Sequence, residues 1–181
     1  MRAALRTLPD LLYPGLRVVF IGINPGEESA RRRHYYAHPG NGFWPALSAS
    51  RLTPEPVTFE DDRRLALEYG IGFTDVVKRV VTDSATVTDA ELRAALPSLE
   101  RRIRYASPRA VCFTTTRAFE LLFPRVRASK QWGRQPATLA GAEVWSIPST
   151  SGRAAAHRAD VHRVLRELAA HLDGQPRRGA A

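Results

Sequence analysis

The chain is short of several residue types, and each shortage excludes something. It has one cysteine, Cys112, so it can form no internal disulfide and no multi-cysteine metal or cluster site. Cys112 sits in the apolar run AVCFTT and reads as a packed core thiol, a pattern that suits a reducing, cytoplasmic setting. No apolar run is long enough to span a bilayer, and the opening MRAALRTLPDLLYPG lacks the apolar core of a signal peptide. Lysine is nearly absent: Lys78 and Lys130 stand against 25 arginines. No G-x-x-x-x-G-K-[ST] or G-x-G-x-x-G run is present, which removes the common phosphate-cradling loops.

What the chain does have is positive charge and enough length for a core. Its 181 residues suit one domain, and the net charge is +9 with a pI near 10.7. A polyanion is the expected partner, nucleic acid first. A composition biased toward Arg and Ala also follows from a GC-rich genome, but that bias explains the net excess of charge less well.

Three segments read as strands, RVVFIGI, RAVCFTT and AEVWSIP, the last expected to lie parallel to the others, and IGFTDVV reads as a short strand or an extended turn. TFEDDRRLALEYG reads as a helix capped by Thr58 and stopped by Gly70. TDAELRAALPSLERRIRYASP opens with the capping box Thr88-x-x-Glu91 and carries a stripe of Leu92, Leu96, Leu99 and Ile103. Pro97 is expected to kink or break that helix. FWPALSAS and TRAFELLF read as shorter helices. The closing helix presents Val161, Val164, Leu165, Leu168 and Leu172 on one face. Residues 24–42 read as a long irregular loop. The expected domain covers 16–173, with 1–15 as an N-terminal arm and 174–181 as a disordered tail. Strands alternating with helices give an α/β fold, a three-layer α/β/α sandwich around a central, mainly parallel sheet. Ligands in such sheets bind at the carboxyl ends of strands. The loops GINPG and IPSTSGR both follow strands, so they are expected to converge on one cleft.

The first of these loops is unusual. Gly22 allows close approach to the backbone, Pro25 fixes φ, and Gly26 permits a tight turn, so Asn24 is held in one orientation. Its amide can aim a water molecule but cannot serve as a full base. A plain strand-to-turn junction with Asn24 in an Asx turn is the structural alternative.

GINPGEESARRRHYYAHPGNGFW and WSIPSTSGRAA, with GFTDVVKR and KQWGRQP between them, resemble the motifs of the mismatch-specific uracil/thymine-DNA glycosylases of the uracil-DNA glycosylase superfamily. The resemblance covers about residues 16–172. It implies that a nucleotide is flipped out of mismatched double-stranded DNA and its base removed by water. It makes Gly22 and Ile23 a pocket wall and Asn24 the residue that places water. Tyr36 becomes the aromatic that stacks on the base, and Ser29 a small residue beside the base's C5 position. His34 and Tyr35 fall along the same pocket, whereas His38 reads as a structural hydrogen-bonder. Ser149, Ser151, Gly152 and Arg153 form the loop that approaches the phosphate backbone, with Arg153 as a wedge or a plain phosphate contact. Ser149 stands where the most active members of the superfamily carry His, and Asn24 where they carry Asp. Both changes are expected to cost rate. Asp75 is a second catalytic candidate, or else a structural hydrogen-bonder. Neither lysine lies in the two main motifs, so a monofunctional, monomeric hydrolase without metal or cofactor is expected. The alternatives are a non-catalytic mismatch binder and a relative acting on single-stranded uracil or hypoxanthine.

Overall fold

The computed structural model describes residues 5–124, 126 and 131–175. The first strand, β1 (Val18–Gly22), is followed by helices α1 (Glu27–Arg32), α2 (Phe43–Ser48) and α3 (Asp62–Glu68). Next come β2 (Ile71–Asp75), α4 (Asp89–Ala106), β3 (Ala110–Phe113) and α5 (Thr116–Leu122). The chain closes with β4 (Gly133–Leu139), β5 (Ala142–Ser146) and α6 (Arg158–Asp173). The sheet order is β2-β1-β3-β5-β4. β1 runs parallel to β2 and β3, β3 runs parallel to β5, and only the edge strand β4 is antiparallel.

The alternation of side chains along β1 explains the three layers. Val18 and Phe20 point into one core with Phe73, Cys112, Trp145 and the apolar face of α6. Val19 and Ile21 point into the other with Val111, Phe113, Val144 and the stripes of α4 and α5. A strand covered on both faces needs apolar residues at successive positions, and that is what VVFIG supplies. Each such side chain removed from water contributes about 1.5–3 kcal/mol. Cys112 is fully buried, and burial pushes its thiol well above the ordinary range, so it is an inert core residue.

Five expectations change. The arm is packed structure from Leu8 onward: Leu8, Leu11 and Leu12 are buried, and Leu11 exchanges two backbone hydrogen bonds with Phe73 on the outer side of β2. At the other end Gln175 hydrogen-bonds Glu143, while residues 176–181 lie outside the described residues. The supposed irregular loop contains α1, where Glu27 pairs with Arg31 and Glu28 with Arg32 one turn apart. Pro97 does not break α4, because it sits on the exposed face, where the carbonyl it leaves unpaired stays near solvent. Finally, β4 was not foreseen. Its Pro136 is exposed at an irregularity in the pairing between Arg134 and Thr138, a position an edge strand tolerates.

Gly72 is what lets the N-terminal segment close over β2. A Cβ there would overlap the Leu16 side chain and lie 2.7 Å from the Leu11 carbonyl oxygen. Gly72→Ala should therefore lower unfolding free energy by about 1–3 kcal/mol. Urea denaturation checks this; a change within about 0.5 kcal/mol would mean the segment yields without cost.

Candidate active site at the carboxyl ends of β1 and β2

The strand order reverses between β1 and its neighbour β3, since the chain passes from β1 to β2 on one side and then to β3 on the other. The crevice at such a point lies at the strands' carboxyl ends. There the chain after β2 follows the chain after β1: Val76 and Val77 donate to the carbonyls of Gly22 and Ile23, and Val81 to that of Pro25. Asn24 is fastened within this pairing. Its Nδ2 donates to the carbonyls of Pro25 at 2.9 Å and Val81 at 3.3 Å. With both donors used, Oδ1 is left as an acceptor, buried and without a protein partner among the described residues. Such an atom can receive an O–H and so orient a water molecule.

Gly22 stands opposite Asp75 in the β1–β2 register. A Cβ on Gly22 would overlap Asp75 Oδ1 and would come within 3.6 Å of the Tyr36 hydroxyl. The close approach that glycine permits is therefore made by the protein's own carboxylate. Asp75 is 3% exposed and its Oδ2 has no hydrogen-bond partner among the described residues. Burial raises its pKa to about 7; Lys78 opposes that rise, Asp10 adds to it, and Arg102 opposes it.

Tyr36 completes the group. Its φ is +51°, a left-handed conformation that turns the side chain back toward the strand ends. The ring centroid lies 4.3 Å from that of Phe43, and the hydroxyl is 3.2 Å from Thr114 Oγ1. Thr114 donates its only hydroxyl proton to the Ile21 carbonyl at 3.2 Å, so Tyr36 must donate to Thr114. The Tyr36 oxygen is thus left as an acceptor beside Gly22. Burial, with Asp75 nearby, drives its phenol well above the ordinary range, so it stays neutral.

The neighbouring residues mostly hold this loop in place. Ser29 is buried, and its Oγ accepts from the Ala37 backbone N–H at 3.1 Å, which ties α1 to the segment carrying Tyr36. His34 and Tyr35 are both tied into the surrounding structure, Tyr35 with its ring 6.2 Å from that of Tyr36. His34 faces Asp62 at 2.9 Å, and Tyr35 is 2% exposed with its hydroxyl on the Pro9 carbonyl and its backbone N–H on Asp62. His38 accepts from the Gly40 N–H, a structural bond as foreseen.

The second loop meets the first. Gly42 donates to the Thr150 carbonyl at 2.8 Å, and a Cβ on Gly152 would lie 3.1 Å from the Gly40 carbonyl oxygen. Ser149 and Ser151 share a hydrogen bond at 3.1 Å on the exposed rim. Arg153 belongs to the 3-10 turn Gly152–His157, but its side chain lies outside the described residues, as does Lys130.

Four contributors were not singled out from the sequence: Thr114, Lys78, Asp10 and Arg102. Thr114 follows β3 directly, so the rule that sites gather at strand ends could have found it. Lys78 ion-pairs with Asp10 at 2.7 Å, and Arg102 reaches the same carboxylate at 3.2 Å. Among the described residues no group of three or more His, Cys, Asp or Glu is placed to hold a metal, and no helix is long and apolar enough to cross a membrane.

A mostly parallel five-stranded sheet with polar groups gathered at the carboxyl ends of its strands is an architecture shared by many enzymes. The profile of the family described as the Uracil DNA glycosylase superfamily matches residues 9–172, and the chain belongs to that superfamily. Membership places it in a class of DNA-repair hydrolases that cleave glycosidic bonds. A solution NMR structure from Methanosarcina acetivorans, bearing the name of a candidate uracil DNA glycosylase, shares the fold. It is 24% identical, with a TM-score of 0.58 over 91% of this chain and 98% of that one.

The state of Asp75 should be visible in stability. An unfolded carboxyl loses its proton near 3.8, whereas the folded one holds it to about 7. The folded protein therefore binds the extra proton, and stability falls as pH rises through that window. Asp75→Asn removes this slope. Relative to wild type it should gain on the order of 3 kcal/mol between pH 4 and pH 8, measured by chemical denaturation at each pH. Parallel pH profiles for the two proteins would show that Asp75 is ionised in the fold.

Proposed function

We propose that the protein is a monofunctional glycosylase acting on uracil, and on related damaged or mismatched pyrimidines, in double-stranded DNA. The observation that carries this reading is the pair of buried, unpartnered acceptors, Asn24 Oδ1 and Asp75 Oδ2, at the ends of adjacent strands beside Gly22. Water held by Asn24 and Asp75 would add its oxygen to the sugar C1′ as the bond from C1′ to the base nitrogen breaks. The electron pair leaves with the base, and the proton from water passes to Asp75 or to solvent. Bond breaking runs ahead of attack in such a step, so a carboxylate titrating near 7 and a fixed amide are sufficient help. Tyr36 would stack on the flipped base, which is worth about 1–3 kcal/mol. Lys78 is engaged by Asp10, which suits direct hydrolysis rather than covalent attack by an amine. Net charge of +9 suits the polyanionic partner.

The test is incubation of labelled uracil-containing duplex with excess protein, then alkali. A glycosylase leaves a cleavable abasic site; a mismatch binder shifts the duplex but leaves it intact. Asn24→Ala should lower single-turnover cleavage of a G·U pair at least about tenfold with DNA binding retained. Cleavage within about threefold of wild type would remove Asn24 from the mechanism.

A wedge role for Arg153 has its own signature. Filling the gap left by a flipped base matters only where unstacking must be offset. Arg153→Ala should therefore slow cleavage of G·U and A·U pairs more than that of single-stranded uracil. It should also relax discrimination between guanine and adenine opposite the lesion. Equal loss on all three substrates, with a salt slope shallower by about one unit, would make it a phosphate contact.

A further inference from the structure

The group beneath the crevice holds more charge than the proposed reaction uses. Asp10 Oδ1 accepts from Thr74 Oγ1 at 2.6 Å, from Lys78 Nζ at 2.7 Å and from Arg102 Nη1 at 3.2 Å. Thr74 immediately precedes Asp75, and Lys78 lies three residues after it. Arg102, reaching across from α4, also hydrogen-bonds the Thr74 hydroxyl and donates to the backbone carbonyls of Asp75 at 3.0 Å and Val76 at 3.3 Å. One carboxylate thus fastens the chain on both sides of Asp75 and draws two cations to it. The side chains of Asp10, Lys78 and Arg102 are each less than a third exposed, so their mutual field is only partly screened.

We propose that Asp10 is a positioning residue that, through Lys78 and Arg102, fixes the charge carried by Asp75 and so sets the pH range in which the protein cleaves DNA. This rests on the reading of Asp75 as a participant in hydrolysis. The charges work as a balance. Lys78, Arg102 and ionised Asp10 sum to +1, so ionised Asp75 makes the cluster neutral. Removing the charge of Asp10 leaves Lys78 and Arg102 uncompensated, and both favour ionised Asp75. Removing Lys78 leaves Asp10 and Arg102 cancelling, and buried Asp75 then has no net cation to hold its charge. The remaining groups facing Asp75 are Gly22, which is uncharged, and the phenols of Tyr35 and Tyr36, both held neutral by burial. Asp10 itself stays ionised: Lys78, Thr74 and Arg102 hold its pKa below the usual value against the pull of burial.

The experiment measures single-turnover cleavage of a G·U duplex against pH, with the Asp75 carboxyl followed by carbon-detected NMR in the DNA-free protein. The acid limb of the rate profile should move down by about one pH unit in Asp10→Asn and up by about one unit in Lys78→Met. Lys78→Arg, which keeps the charge, should leave the limb in place. The Asp75 carboxyl signal should titrate in the same directions in each variant. A purely structural role for Asp10 would lower melting temperature and rate at every pH without moving the limb. If Asp10→Asn does not fold, the contrast between Lys78→Met and Lys78→Arg decides alone. Limbs that move together, or not at all, overturn the proposal. Should the wild-type protein show no cleavage, the hydrolytic reading fails while the carboxyl titrations still judge the cluster.

Discussion

The site depends on a carboxylate packed where a side chain is missing. β1 ends in Gly22, and the space a Cβ would fill is taken by Asp75 from the neighbouring strand. This contact requires both strands to run parallel in one register, and it takes the carboxylate out of water. Once there, Asp75 cannot be ordinary: burial opposes its charge, and only the cations gathered by Asp10 moderate that cost. A residue of any size at position 22 would expel the carboxylate, so the glycine and the acid form one unit.

The rest of the fold can be read as support for that unit. Two apolar layers hold β1 from both faces, with Phe20 on one side and Val19 and Ile21 on the other. The strand end is therefore placed by packing rather than by the loop that follows. The loop is fixed separately: Asn24 through both of its amide donors, Ser29 through Ala37, His34 and Tyr35 through Asp62. Residues that look chemical in the sequence, His34 among them, are spent on holding Tyr36 in its left-handed conformation. Polar side chains spent on structure leave few free groups in the crevice, and those few are acceptors. An acceptor-lined crevice suits orienting water and receiving a proton, which is the chemistry asked of it here.

The two loops meet through glycine contacts. Gly152 lies against the Gly40 backbone and Gly42 donates to Thr150. Neither contact involves a side chain, so the rim formed by Ser149 and Ser151 is carried by the same backbone that positions Tyr36. These contacts join the surface that would meet a phosphate backbone to the segment that carries Tyr36.

The sequence by itself determined the layered α/β architecture. Strands buried on both faces must be continuously apolar, and VVFIG and AVCF are; amphipathic helices must show a stripe, and those of α4 and α6 are plain. It also marked Asn24 and Gly22, because glycine, proline and an amide crowded at a strand end are a local pattern, whereas Tyr36 was marked only by the resemblance to a known family. The edge strand β4 and the packed segment from Leu8 to Leu12 escaped it, since an exposed proline and scattered leucines carry no period. The Asp10, Lys78 and Arg102 cluster escaped it for a stronger reason. Its members are up to 92 positions apart in the chain and meet only because β2, α4 and the N-terminal segment close on one another. Proximity across the sheet, and the charge that proximity forces on a buried Asp75, belong to the tertiary structure alone.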